Sequence, residues 1–252
     1  MNDLAYKPFY VKYLPLPGAL RRFLLVLLPL LLLALVAVGA VLAWRQGYPG
    51  TGQWKTGEAV TLEGDLILTP YPALRLAEGQ TPSPIILVVS DAKAGAPDVV
   101  VRNIGSRVRL TGHAIQRGTH LMLEVADNAA IDVLGPAAPA PHDVTSLGTH
   151  TLRGQIIDPK CFLGVMRPGE GKVHKGCATR CIAGGIPPMF LTRADDPGRH
   201  AALYLLTDSE GHPIRDAILP FVADAIEVTG AVERRGEVLL FKIDPATIRW
   251  CR

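Results

Sequence analysis

Hydrophobic and polar positions change their spacing twice along this chain. Phe23 to Trp44 reads FLLVLLPLLLLALVAVGAVLAW, 22 residues without a charge. At 1.5 Å per residue such a helix is about 33 Å long, enough for a hydrocarbon core of about 30 Å. Pro29 and Gly39 are tolerated in membrane helices. A secretory leader has a shorter apolar stretch, so the pattern predicts an uncleaved anchor. Lys7, Lys12, Arg21 and Arg22 precede the span against the single acid Asp3, whereas Arg45 and Lys55 follow it. That bias predicts a cytoplasmic N-terminus and a single pass through a bacterial inner membrane, with the C-terminal domains periplasmic.

Beyond residue 45 the pattern becomes short alternating or β-branched runs, and these recur. TLEGDLI (61–67) matches TLRGQII (151–157). ILVVSD (86–91) matches LYLLTD (203–208). VRLTGHAIQRG (108–118) matches IEVTGAVERRG (226–236), and LMLEVAD (121–127) matches LLFKID (239–244). Four blocks in one order predict an internal repeat of strands. Arg117-Gly118 and Arg235-Gly236 fall between strands in both copies and predict hairpin turns. Gly64 and Gly154, with Gly112 and Gly230, suit strongly coiled strands. The expected fold is mainly β: one N-terminal transmembrane helix, then two five-stranded barrels resembling the OB-fold. The expected divisions are a basic, aromatic tail (1–22), the helix (23–44), a first barrel (45–134), a Pro/Ala spacer (135–142) and a second barrel (143–252).

The copies differ in one place. The first blocks are offset by 90 residues and the next by 117, so the second copy carries about 27 extra residues. They fall within 159–190, PKCFLGVMRPGEGKVHKGCATRCIAGGIPPMF, which holds three of the four cysteines. Residues 173–183 predict a short helix stopped by Gly184-Gly185 and Pro187-Pro188. On it His174, Cys177 and Cys181 would share one face, and Cys161, at the end of the first strand, could join them. A Cys3His set suits zinc, copper or an iron–sulfur centre. C-x3-C also occurs in binuclear copper sites, but Gly185 stands where the following His would be. Structural disulfides, including one through Cys251, and a redox-active Cys177/Cys181 pair are the competing readings. Lys160, Arg167, Lys172, Lys175 and Arg180 surround these groups against one acid, Glu170. Lys160, Lys172, Lys175 and Arg180 are therefore candidates for holding an anionic ligand or offsetting thiolate charge.

Composition narrows the function classes. Charged residues make up 19% of the chain and apolar residues 48%, which excludes a disordered protein. A net charge of +3 does not make a polycation, and an exported domain meets no nucleic acid. Gly169-Glu170-Gly171-Lys172 lacks the upstream Gly and the Ser/Thr of a phosphate loop, and no G-x-S-x-G elbow is present.

The insertion can be written K-C-x2-G-x-M-x-P-G-x-G-x2-H-x2-C-A-x2-C-I-x2-G-x-P-P, running from Lys160 to Pro188. This string resembles a signature of membrane-anchored bacterial proteins, and the resemblance implies an exported Cys/His site. In architecture the chain is also similar to the anchored periplasmic haem chaperone of cytochrome c maturation, without an equivalent of its haem-attaching histidine. The expected role is a membrane-anchored accessory protein. Its Cys/His metal or iron–sulfur site would serve electron transfer or cofactor delivery to a larger periplasmic or membrane oxidoreductase. A disulfide-braced docking module and a thiol oxidoreductase are the alternatives.

Overall fold

In the computed structural model, residues 16–45, 51–76, 85–139, 144–164, 166–192 and 202–251 are described. Residues 1–15 of the expected tail and 140–142 of the expected spacer lie outside them. The chain forms two compact units, Met1–Tyr48 and Pro49–Arg252.

The first unit contains one helix, α1 (Gly18–Arg45). It starts five residues before the uncharged run and takes in Arg21 and Arg22. Its stretch from Gly18 to Leu42 is long and apolar enough to cross a membrane, and none of it is buried.

The second unit consists of two closed five-stranded barrels. The first is built from β1 (Gln53–Leu68), β2 (Pro72–Leu76), β3 (Ile85–Ser90), β4 (Ser106–Arg117) and β5 (His120–Val125), with α2 (Asp98–Arg102) between β3 and β4. The second uses β7 (Val144–Ile157), β8 (Met189–Thr192), β9 (Leu203–Asp208), β10 (Ile226–Arg235) and β11 (Val238–Ile243). Strand order is β1-β2-β3-β5-β4 with β4 returning to β1, and β7-β8-β9-β11-β10 with β10 returning to β7. The third and fifth strands run parallel in both barrels. β6 (Ile131–Pro136) and β12 (Arg249–Trp250) add to β4 and β10 at equivalent edges. The Pro/Ala segment expected as a spacer therefore begins inside a strand: Gly135 and Pro136 pair with Arg107 and Ser106.

Equivalent positions repeat the same chemistry. Thr61 and Thr111 share a 2.8 Å hydroxyl hydrogen bond across β1 and β4, and Thr151 and Thr229 share another of 2.8 Å across β7 and β10. Two positions away the ion pair has exchanged its charges, Glu63 with Arg109 in the first barrel and Arg153 with Glu227 in the second. At Gly112 and Gly230 a Cβ would collide with the carbonyl oxygens of Glu124 and Lys242, so the tight coil of the strands admits no side chain there.

Each barrel has its own apolar filling. Leu66, Leu74, Ile86, Val108 and Leu123 pack in the first, and Ile156, Phe190, Leu206, Val228 and Phe241 in the second. A further apolar cluster joins the two barrels. Tyr71, Leu87, Ile115 and Met122 of the first meet Phe162, Leu163, Leu191 and Leu205 of the second. Tyr71 hydroxyl donates to Leu206 carbonyl at 2.9 Å and accepts from the Ile214 N–H at 3.0 Å. That seam is where the insertion of the second barrel sits.

Candidate metal centre

The connection between β7 and β8 holds the extra residues. It opens with α3 (Pro159–Leu163). Asp158 caps that helix, its Oδ1 accepting from the Lys160 N–H at 2.9 Å and the Cys161 N–H at 3.4 Å. Pro at the first helical position lacks an N–H that would have no partner there, so Asp158-Pro159 is a natural helix start. Cys161 thus stands on a helix rather than at the end of a strand. A 3-10 turn over Lys172–His174 leads into α4 (Lys175–Ala183). His174 precedes α4 instead of riding on it. Gly171, with φ of 75°, sets the start of the turn, and Gly176 weakens any longer first turn. α4 turns Ala178 and Ile182 into the second barrel and Cys181 into the seam. The faces of this one helix therefore separate core from chemistry.

Cys161, Cys177 and Cys181 place their sulfurs within 4.8 Å of one another. Cys161 Sγ lies 3.9 Å from Cys177 Sγ. A second triad, Asp158, Cys161 and His174, falls within the same limit. Cys161 is common to both. Asp158 is 0% and His174 4% exposed. Asp158 Oδ2 and His174 Nε2 have no hydrogen-bond partner. Two buried, unpartnered acceptors beside three thiols form a donor set that could hold a metal ion.

The first barrel supplies the countercharge. Lys93, in the loop after β3, donates to Cys177 Sγ at 2.9 Å and Cys181 Sγ at 3.6 Å. The Cys177 hydrogen bond pushes the Lys93 ammonium up, against its partial desolvation, with the neighbouring sulfurs adding to the effect. The hydrogen bond between Cys161 and Cys181 pulls the Cys181 thiol down, with Lys93 assisting, and pushes Cys161 up, where burial adds to it. Burial pushes His174 down, which favours the neutral imidazole a metal requires.

The backbone fixes that loop against α4. The Gly95 N–H donates to the Gly184 carbonyl at 3.1 Å. A Cβ at Gly184 would overlap the Lys93 carbonyl.

The four expected basic residues separate. Lys160 is 3% exposed and unavailable to an added anion. Its ammonium meets Glu124 Oε1 at 2.8 Å, Ser90 carbonyl at 2.6 Å and Ala92 carbonyl at 2.8 Å. Lys175 binds Asp224 at 2.7 Å and Pro220 carbonyl at 3.1 Å. Arg180 is exposed. Lys172 lines a cleft of about 600 Å³ with Arg153, Arg249 and Trp250. Cys251 lines that cleft too, is exposed, and stands apart from the other cysteines; all four are free thiols.

Sequence reasoning missed Asp158 and Lys93. The Asp-Pro start of α3 marks Asp158 as a cap, and its proximity to Cys161 was the available signal. Nothing in the loop DAKAGAP marks Lys93, which reaches a cysteine 84 residues away. No family model, curated protein or solved structure matches the chain.

Proposed function

We propose that this chain is a membrane-anchored accessory protein that presents a thiolate-rich metal or iron–sulfur centre on the periplasmic side of a bacterial inner membrane. The centre would serve electron transfer or cofactor delivery to a larger oxidoreductase. The observation that carries this reading is the convergence of Cys161, Cys177 and Cys181 within 4.8 Å beside the unpartnered Asp158 Oδ2 and His174 Nε2. Thiolates and imidazole select zinc, copper or iron over the hard cations magnesium and calcium. The apolar span of α1 and the preceding Arg21 and Arg22 support the anchor and its orientation. The signature from Lys160 to Pro188 supports placement among anchored bacterial proteins with an exported Cys/His site.

Bound metal would supply a redox couple or a transferable ion. The chain's own residues would hold and shield it. Cys177 is only partly buried, so the sulfur triad is accessible to a docking partner from its side, while Asp158 and His174 close the inner side.

A thiol-exchange reading has one observation in its favour, the Lys93 ammonium 2.9 Å from Cys177 Sγ. Elemental analysis of the full chain, extracted from membranes in detergent without a metal-affinity tag, separates the two. Stoichiometric zinc, copper or iron, lost in Cys177→Ser, is the expected result. Metal-free protein that takes up none after reduction, with a Cys161–Cys177 disulfide formed by oxidants, would overturn the metal reading.

A further inference from the structure

The donor atoms divide in a way that a single ion does not explain. Zinc–sulfur and zinc–nitrogen bonds are about 2.3 Å and 2.0–2.1 Å, so two ligands of one ion stand no more than roughly 4.6 Å apart. Each triad, with all separations within 4.8 Å, is at that reach. The donors form two such triads, Cys161–Cys177–Cys181 and Asp158–Cys161–His174, that share Cys161.

Charge permits this count. Cys161, Cys177, Cys181 and Asp158 are four anionic donors when they ligate, and the Lys93 ammonium adds one positive charge beside them. Lys160 adds none, because Glu124 already neutralises it. One divalent cation and two leave residual charges of equal size and opposite sign, so the division of the donors decides the number of ions.

We infer that the insertion holds a binuclear centre in which the Cys161 thiolate bridges two divalent thiophilic ions. The outer ion is held by Cys177 and Cys181, and the inner one by Asp158 and His174. This rests on the metal reading above and adds to it the number of ions, a carboxylate ligand and the bridge. Two-metal sites place their ions about 3.5–4 Å apart, a spacing that one bridging sulfur spans. The unpartnered Asp158 Oδ2 and His174 Nε2 are then the terminal ligands of the inner ion. Asp158 ligates through one oxygen while the other caps α3, so ligand and helix start are set by the same side chain.

The test is a cobalt(II) titration of the full chain in detergent, reduced, stripped of metal and kept anaerobic. Uptake is read by thiolate-to-cobalt absorption and by electron paramagnetic resonance. The expected result is saturation at two equivalents per chain, with the high-spin signal falling as the second enters, because a shared thiolate couples the two spins. Asp158→Asn keeps the helix cap, since Asn caps as well as Asp. It should take up one equivalent instead of two, with the uncoupled signal retained. His174→Gln should do the same, and Cys161→Ser should lose the coupling. Saturation of the unaltered chain at one equivalent would overturn the binuclear centre and leave the metal reading standing. Two equivalents without coupling would overturn the Cys161 bridge, and no uptake would overturn both.

Discussion

Lys160 Nζ lies 2.8 Å from Glu124 Oε1, and both side chains are almost wholly buried between the barrels. The residue immediately before the first cysteine of the insertion is thus held by the fifth strand of the other barrel. Trp54 Nε1 donates to the second Glu124 oxygen at 2.9 Å, and the Trp54 ring lies 5.3 Å from the Lys160 ammonium. Removing one member of such a pair leaves a buried charge alone and costs about 3–5 kcal/mol. Glu124→Ala should lose stability of that order in guanidinium unfolding followed by tryptophan fluorescence. The pair Lys160→Met with Glu124→Leu should recover part of it. A Glu124→Ala chain as stable as the original would show that the ammonium is satisfied by the Ser90 and Ala92 carbonyls alone.

Lys93 stands outside the donor set but touches two members of it. Outer partners of this kind typically alter metal affinity 10–100-fold. Lys93→Met should weaken metal binding by about tenfold in competition with a chromophoric chelator, with little change in unfolding midpoint. An unchanged affinity would mean that the ammonium gives the sulfurs no useful countercharge.

Gly184 tests the same contact through the backbone. Its Cβ would meet the Lys93 carbonyl, so Gly184→Ala must push the loop after β3 away from α4. Overpacking of this sort costs about 1–3 kcal/mol. The expected signature is lower stability together with faster alkylation of Cys177, followed by mass spectrometry. Gly176→Ala, which meets nothing within 4 Å, is the control and should be neutral or slightly stabilising.

His120 begins β5 and lines a small cavity at the seam with Leu163, Glu237 and Val238. Burial pushes its imidazole below the ordinary value of about 6.5. The unfolded chain therefore takes up this proton at higher pH than the folded one. The contribution to stability is fully present above about pH 6.5 and is lost as the pH falls towards the lowered folded value. Unfolding midpoints should drop between pH 7.5 and 5.5, and His120→Gln should flatten that drop. An identical pH dependence in the variant would assign the effect to other groups.

The barrels and the long apolar helix were readable from the chain because their signals are local or repeated. The uncharged run from Phe23 needs no partner to be recognised. The paired strand blocks announce themselves twice. Cys177 and Cys181 were readable as one face because four residues along a helix fix a direction. The seam was not readable, because its contacts join residues far apart in sequence. Lys160 looked like one more cation in a basic insertion, yet its charge answers Glu124, 36 residues upstream. Tyr71 ends a connection with no pattern of its own, and only the packing of the barrels gives its hydroxyl a role.

Lys93 and Glu124 belong to the copy that carries no cysteine. One half of the repeat carries the cysteines, and the other supplies the wall and the cation beside them. Neither half is a spare of the other. A separated second barrel would keep every thiol and lose the charge and surface that enclose them, so the repeat is one of dependence rather than redundancy.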